Sequence, residues 1–184
     1  ETGIYIDNFA IKGNSGLGLQ AIPERNLAAF DSLLHYDLIV LQFGLNVSNS
    51  PSRDFTGYMK GMGRLINKLK AAFPDTPILL LSVSDRSQRR QGNFVTMPVI
   101  PVLIQAQEKI AYDNKLLFWN LFEAMGGENS MAAFANAKPA LANKDYTHLN
   151  FAGGRVIGLS FARSFIFEVE KYQKRRNSLA TITK

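Results

Sequence analysis

Two nearly continuous apolar runs, Asp37–Phe43 (DLIVLQF) and Pro77–Val83 (PILLLSV), constrain this chain more than any other feature. A strand with one face in water alternates polar and apolar residues. A run apolar throughout is covered on both faces, as the strands of a parallel sheet are. Between the two runs, Phe55, Tyr58, Met59, Met62, Leu65, Ile66 and Leu69 recur at helical spacing, so the connection is a helix with one buried face. Its glycines Gly57, Gly61 and Gly63 weaken it intrinsically but permit close packing.

The rest of the chain continues the alternation. Ile4–Phe9 reads as a strand, residues 12–19 as a Gly-rich loop, and Pro23–Leu34 as a helix with Pro23 suited to its first turn. A polar loop covers residues 44–53 and another Ser84–Asn93. Val102–Asn114 reads as a helix, Leu116–Leu121 as a strand, and Gly126–Thr147 as mostly loop with one short helix. Gly153–Tyr172 closes the pattern as a long helix. Strands alternating with helices predict an α/β fold of three layers, a parallel sheet with helices on both faces. Chemistry in such folds gathers at the carboxyl ends of the strands, here the loops 10–19, 44–53, 84–98 and 122–148.

A length of 184 residues fits one domain of ordinary size, and 46% hydrophobic with 20% charged residues is globular composition. The expected division is one domain over 1–174 and a basic flexible tail over 175–184. The tail carries Arg175, Arg176 and Lys184 of a net charge of +6, with Lys171 and Lys174 just before it. Such a cluster is either solvated or a contact for an anionic surface. No stripe of aromatic and basic residues points to nucleic acid. No apolar run reaches the roughly 18 residues of a membrane span, and there is no signal-peptide pattern. Because the chain opens at Glu1, almost directly in a strand-like segment, an upstream piece is expected.

The absence of cysteine excludes disulfides, thiolate metal sites and a cysteine nucleophile. Only His35 and His148 are available as histidine bases. His35 lies at a helix end, where the dipole favours it. His148 stands in Asp145-Tyr146-Thr147-His148, in the loop before the last helix. A histidine base needs a carboxylate to orient its ring and stabilise the imidazolium. An Asp three residues earlier in a turn can supply one, or can simply cap that turn. Asp7 and Asn8 end the first strand, where turn formation explains them as well as a site would.

The context of DYTH narrows the choice. Leu149-Asn150-Phe151-Ala152-Gly153-Gly154 leads from it into the last helix, Gly44-Leu45-Asn46 follows a buried strand at once, and Gly13 sits in a Gly-rich loop after the first strand. Over residues 4–172 the chain resembles the SGNH/GDSL hydrolases, whose fold is flavodoxin-like. The resemblance implies that Asp145 and His148 are the acid and base of a catalytic triad. It also implies that Gly13 contributes a backbone N–H, and Asn46 a side-chain N–H, to an oxyanion hole. Asn14, Ser15 and Arg86 are candidates to line the substrate. No metal or cofactor is implied.

One block of the family pattern is missing, the GDS-like motif with the nucleophilic serine. In the family its strand lies between those matching Ile4–Phe9 and Asp37–Phe43, and a gap there would leave two rows of backbone groups unpaired. An upstream segment or a separate chain is therefore expected to supply both strand and serine. Bacterial peptidoglycan and carbohydrate O-acetylesterases resemble this arrangement, which implies an ester-bearing carbohydrate substrate and an extracytoplasmic, periplasmic or secreted, bacterial location. Two rivals stand beside this reading. A domain without the serine could be a non-catalytic glycan-binding module. Alternatively Ser15, in Gly13-Asn14-Ser15-Gly16, is the nucleophile, although that string lacks G-x-S-x-G spacing. The basic loop Asp85–Arg90 is either solvated or holds a substrate carboxylate through Arg86 or Arg89.

Overall fold

A computed structural model describes residues 3–11, 13–49 and 53–182. They gather into two compact units, one built from residues up to Val83 with Pro101–Trp119, the other from Ser84–Ile100 with Asn120 onward.

The first unit holds the parallel sheet. Strands β1 (Ile39–Gln42), β2 (Ile78–Leu81) and β5 (Leu117–Trp119) run in the order β1-β2-β5, with Ile39 beside Ile78 and Leu79 beside Leu117. All four residues of the central strand β2 are buried, as its unbroken apolar run requires. Helices α1 (Glu24–Leu34), α2 (Thr56–Ala72) and most of α3 (Val99–Asp113) belong to this unit. Helix α2 buries Tyr58, Met62, Leu65, Ile66 and Leu69 of the predicted stripe, with Phe55 buried just before it and Met59 half-buried. Of its three glycines only Gly61 is closely packed. A Cβ there would lie 2.6 Å from Leu17, on a 3-10 turn (Leu17–Ala21) within the Gly-rich loop, while Gly57 and Gly63 face open space.

Residues Ile4–Phe9 do not form a strand. They pair with no strand among the described residues, and Ile4 and Ile6 are 92% and 85% exposed. A strand exists through the ladder it shares with a neighbour, and no described strand forms one with these residues. The segment is held instead by Phe9, edge-on to Phe30 and Tyr36, and by Tyr36 Oη donating to Asp7 Oδ2 at 2.7 Å.

The second unit contains a hairpin where a loop was expected over Ser84–Asn93. Strands β3 (Ser87–Arg90) and β4 (Asn93–Thr96) pair antiparallel around Gln91-Gly92. Both turn residues have positive φ, 49° and 85°, the geometry that closes a two-residue hairpin without splaying its strands. Helices α4 (Leu121–Ala124), α5 (Ser130–Asn136) and α6 (Phe151–Ile182) complete the unit. Helix α4 replaces the end of the expected fourth strand, because Asn120 caps it by accepting from the Glu123 N–H. Helix α6 runs ten residues past its expected end at Tyr172, so Arg175 and Arg176 are helical; Lys184 lies outside the described residues. No helix among the described residues is long and apolar enough to cross a membrane.

Candidate active site

In the second unit, the loop from Leu141 to Asn150 is fastened at its base. Ala142 and Leu149 form an antiparallel bridge, the Asn143 N–H donates to His148 O at 2.8 Å, and Asn150 Nδ2 donates to Ala140 O at 2.8 Å. Asn150 Oδ1 then accepts from the Gly153 N–H at 3.0 Å in the first turn of α6. The sequence Asn150–Gly153 is thus both the end of the loop and the cap of the helix.

Asp145 and His148 meet at the tip of this loop. Asp145 Oδ1 accepts the backbone N–H groups of Thr147 and His148 at 2.9 and 3.0 Å, an Asx-type turn. That turn leaves Oδ2 free to bond the ring Nδ1 of His148 at 2.8 Å. One carboxylate thus caps the turn through Oδ1 and meets the His148 ring through Oδ2. Partial burial pulls the Asp145 carboxyl upward, but the His148 ring and the two amides outweigh it and hold it below its ordinary value. The side chains remain 47% and 67% exposed, so the pair is open to a substrate. With Nδ1 protonated toward Asp145, Nε2 carries the basic lone pair.

Tyr146, between the two, adopts φ 53°, a left-handed conformation that costs a bulky residue about 1–3 kcal/mol. Its side chain is buried while Asp145 and His148 beside it are exposed. Sequence reading missed this anchor. It also missed Asp85, a fully buried carboxylate that accepts the N–H groups of Arg86 and Met131 at 2.8 Å each. Desolvation pushes the Asp85 carboxyl up, against those hydrogen bonds. Arg86 is half-buried, and its carbonyl accepts from the Met97 N–H at the root of the hairpin, while Arg89 is exposed.

The first unit brings Gly13, Asn14 and Asn46 together. Asn46, in a 3-10 turn (Leu45–Asn49) after β1, donates from Nδ2 to Asn14 O at 3.1 Å, and Asn14 Oδ1 accepts the Gly16 N–H at 2.7 Å. Nδ2 carries a second hydrogen. Gly13 has φ 71° and is exposed; Ser15 is half-buried in the same loop. The end of β1 is set by Gln107, a fully buried α3 residue whose amide donates to Phe43 O at 2.7 Å and accepts from the Val83 N–H at 2.8 Å. It looked like an ordinary polar helix residue in the sequence. Gly44 (φ 115°) lets the chain pass it, since a Cβ there would be 2.8 Å from the Gln107 amide nitrogen. His35 ends α1 in a left-handed conformation, a helix-end role. Among the described residues no group of three or more His, Cys, Asp or Glu is arranged to hold a metal.

No protein-family model matches the sequence, and no curated protein matches it. Solved structures do. A peptidoglycan O-acetylesterase superposes with a TM-score of 0.76 at 21% identity, and a GDSL-like lipase from Parabacteroides merdae with 0.61 at 16% over 82% of this chain and 68% of that one. The fold is that of the SGNH/GDSL hydrolases. An acetylxylan esterase from Geobacillus stearothermophilus shares this SGNH fold, with a TM-score of 0.55 at 20% identity over 82% of this chain and 67% of that one. The match to the peptidoglycan O-acetylesterase takes in 86% of this chain but spans only 45% of the other.

Proposed function

We propose that this chain is the acid–base and oxyanion-binding part of an SGNH-type serine esterase that removes O-acetyl or similar esters from cell-wall or other carbohydrate, outside the cytoplasm of a bacterium. The observation that carries the reading is the Nδ1–Oδ2 bond of 2.8 Å between His148 and Asp145, made in an exposed loop of this fold. His148 Nε2 takes the proton of a serine hydroxyl as its Oγ attacks the ester carbonyl. The oxyanion that forms accepts from the Gly13 N–H and from Asn46 Nδ2, each donor worth about 3 kcal/mol in the transition state. His148 returns the proton to the leaving sugar hydroxyl, and water releases the acyl group by the same steps in reverse.

The serine is supplied by a segment outside these residues, seated on the edge of β1 that no described strand covers. That edge strand has Val40 46% exposed, which suits a sheet that continues on this side. The test is to label protein purified from its own cells with a fluorophosphonate and map the adduct by peptide mass spectrometry. Label on a serine outside residues 1–184 supports the reading. Label on Ser15 reassigns the nucleophile. Folded protein that takes no label and hydrolyses no acetyl ester overturns the esterase and leaves a glycan-binding module.

A further inference from the structure

We infer that the β3–β4 hairpin is a positioning device for the Asp145–His148 pair, acting through the stack of Phe94 on Tyr146. The inference rests on the reading of that pair as acid and base. Phe94 and Tyr146 stack with ring centroids 3.5 Å apart and planes inclined by 8°. Phe94 lies in β4, opposite Arg89, on the same side of the hairpin as the Ser87–Thr96 pair. The hairpin grips the Tyr146 backbone as well, since the Ser87 N–H donates to Tyr146 O at 3.0 Å. Tyr146 Oη reaches Asn136 Oδ1 at 3.4 Å, and Lys144 Nζ bonds Ala135 O and Asn136 Oδ1 at 2.8 and 3.0 Å, so the end of α5 holds the other flank.

These contacts converge on a residue whose backbone would not choose its conformation unaided. A left-handed tyrosine persists only where its surroundings over-determine it. From Asn143 to His148, Tyr146 alone has a buried side chain, so it is the point at which the exposed tip is pinned. The turn around it sets where Asp145 Oδ1 finds its two amides, and hence where Oδ2 meets the ring of His148. The hairpin is itself rooted. Asp85 ties the residue before it to the first turn of α5, and Thr96 and Asn129 exchange hydrogen bonds of 3.0 and 2.7 Å. Hairpin and α5 thus form one brace with two arms on Tyr146. Neither Phe94 nor Tyr146 needs to touch substrate for this.

The test compares Phe94→Tyr, which keeps the stacked face, with Phe94→Leu and Phe94→Ala, which remove it. The chain has only two histidines, so the proton NMR signal of the His148 Nδ1–H bonded to Asp145 is assigned by its persistence in His35→Gln. In Phe94→Leu and Phe94→Ala that signal is expected to broaden or vanish at a pH and temperature where circular dichroism shows native helix content. In Phe94→Tyr it is expected to stay. In the unlabelled, turnover-competent enzyme, kcat should fall about 10–100-fold with KM nearly unchanged, the effect of a misplaced base. A purely structural stack would lower Tm while leaving both the signal and kcat as they were, and that result overturns the inference. The NMR readout needs no esterase activity, so failure of the esterase reading and failure of the brace are seen separately. Phe94→Leu keeps apolar volume and remains informative if Phe94→Ala does not fold.

Discussion

Replacing Gly153 by alanine is the sharpest single perturbation the structure offers. Helix propensity alone makes Gly→Ala in a helix stabilising by up to about 1 kcal/mol. Space says the opposite here. A Cβ on Gly153 would stand 1.9 Å from Leu141 O and 2.9 Å from Leu141 C, whereas carbon and carbonyl oxygen normally approach to about 3.3 Å. The obstacle is backbone, not the end of a flexible side chain. Leu141 cannot yield freely, because its carbonyl accepts the Asn150 N–H at 3.2 Å and its neighbours are tied by the 142–149 bridge and the Asn150 bond to Ala140. Overpacking costs about 1–3 kcal/mol, and each hydrogen bond broken to relieve it adds about 1. The net expectation is destabilisation by roughly 2–3 kcal/mol after the propensity gain. Gly154 and Gly158, on the same helix, have nothing within 4 Å of the added atom and serve as internal controls. Alanine at either should stabilise by roughly 0.5–1 kcal/mol. In a chain of this length that separates Gly153→Ala from Gly154→Ala by about 5–15 °C in Tm. Thermal unfolding followed by circular dichroism measures all three. Gly153→Ala matching its two neighbours would refute the close approach of α6 to the dyad loop.

Two further outcomes follow from the carboxylates. Asp85→Ala should destabilise by about 2–4 kcal/mol in the same denaturation assay, because it strands the buried N–H groups of Arg86 and Met131. Asp145 titrates below its ordinary value, so it contributes stability that is present above the unfolded-state value and lost as pH falls through the depressed one. A carboxyl-carbon NMR titration should show that midpoint move upward in His148→Ala, but not fully, because the backbone N–H groups of residues 147 and 148 still donate.

The frame of the fold was legible because its signals are local. The helical stripe from Tyr58 to Leu69 and the apolar runs of β1 and β2 need only residue type and spacing, and each element formed where its pattern lay. The hairpin was hard to read because only its second strand carries an apolar signal. Ser-Gln-Arg-Arg reads as a polar loop, Phe94-Val95 is too short a run to mark a strand, and Gly92 after a residue without strong turn preference is a weak turn cue. The residues that order the candidate site hid for a related reason. Asp85, Gln107 and Phe94 do their work through partners 46, 64 and 52 positions away, and nothing at the positions themselves marks them.

Ile4–Phe9 shows the limit from the other side. Its residues prefer extended backbone, yet no strand results. Propensity selects a region of φ and ψ, whereas a strand is a ladder of hydrogen bonds and belongs to two segments at once. Isoleucines exposed as Ile4 and Ile6 are here would each gain roughly 1.5–3 kcal/mol on full burial. Among the described residues no strand pairs with this segment or with the outer edge of β1.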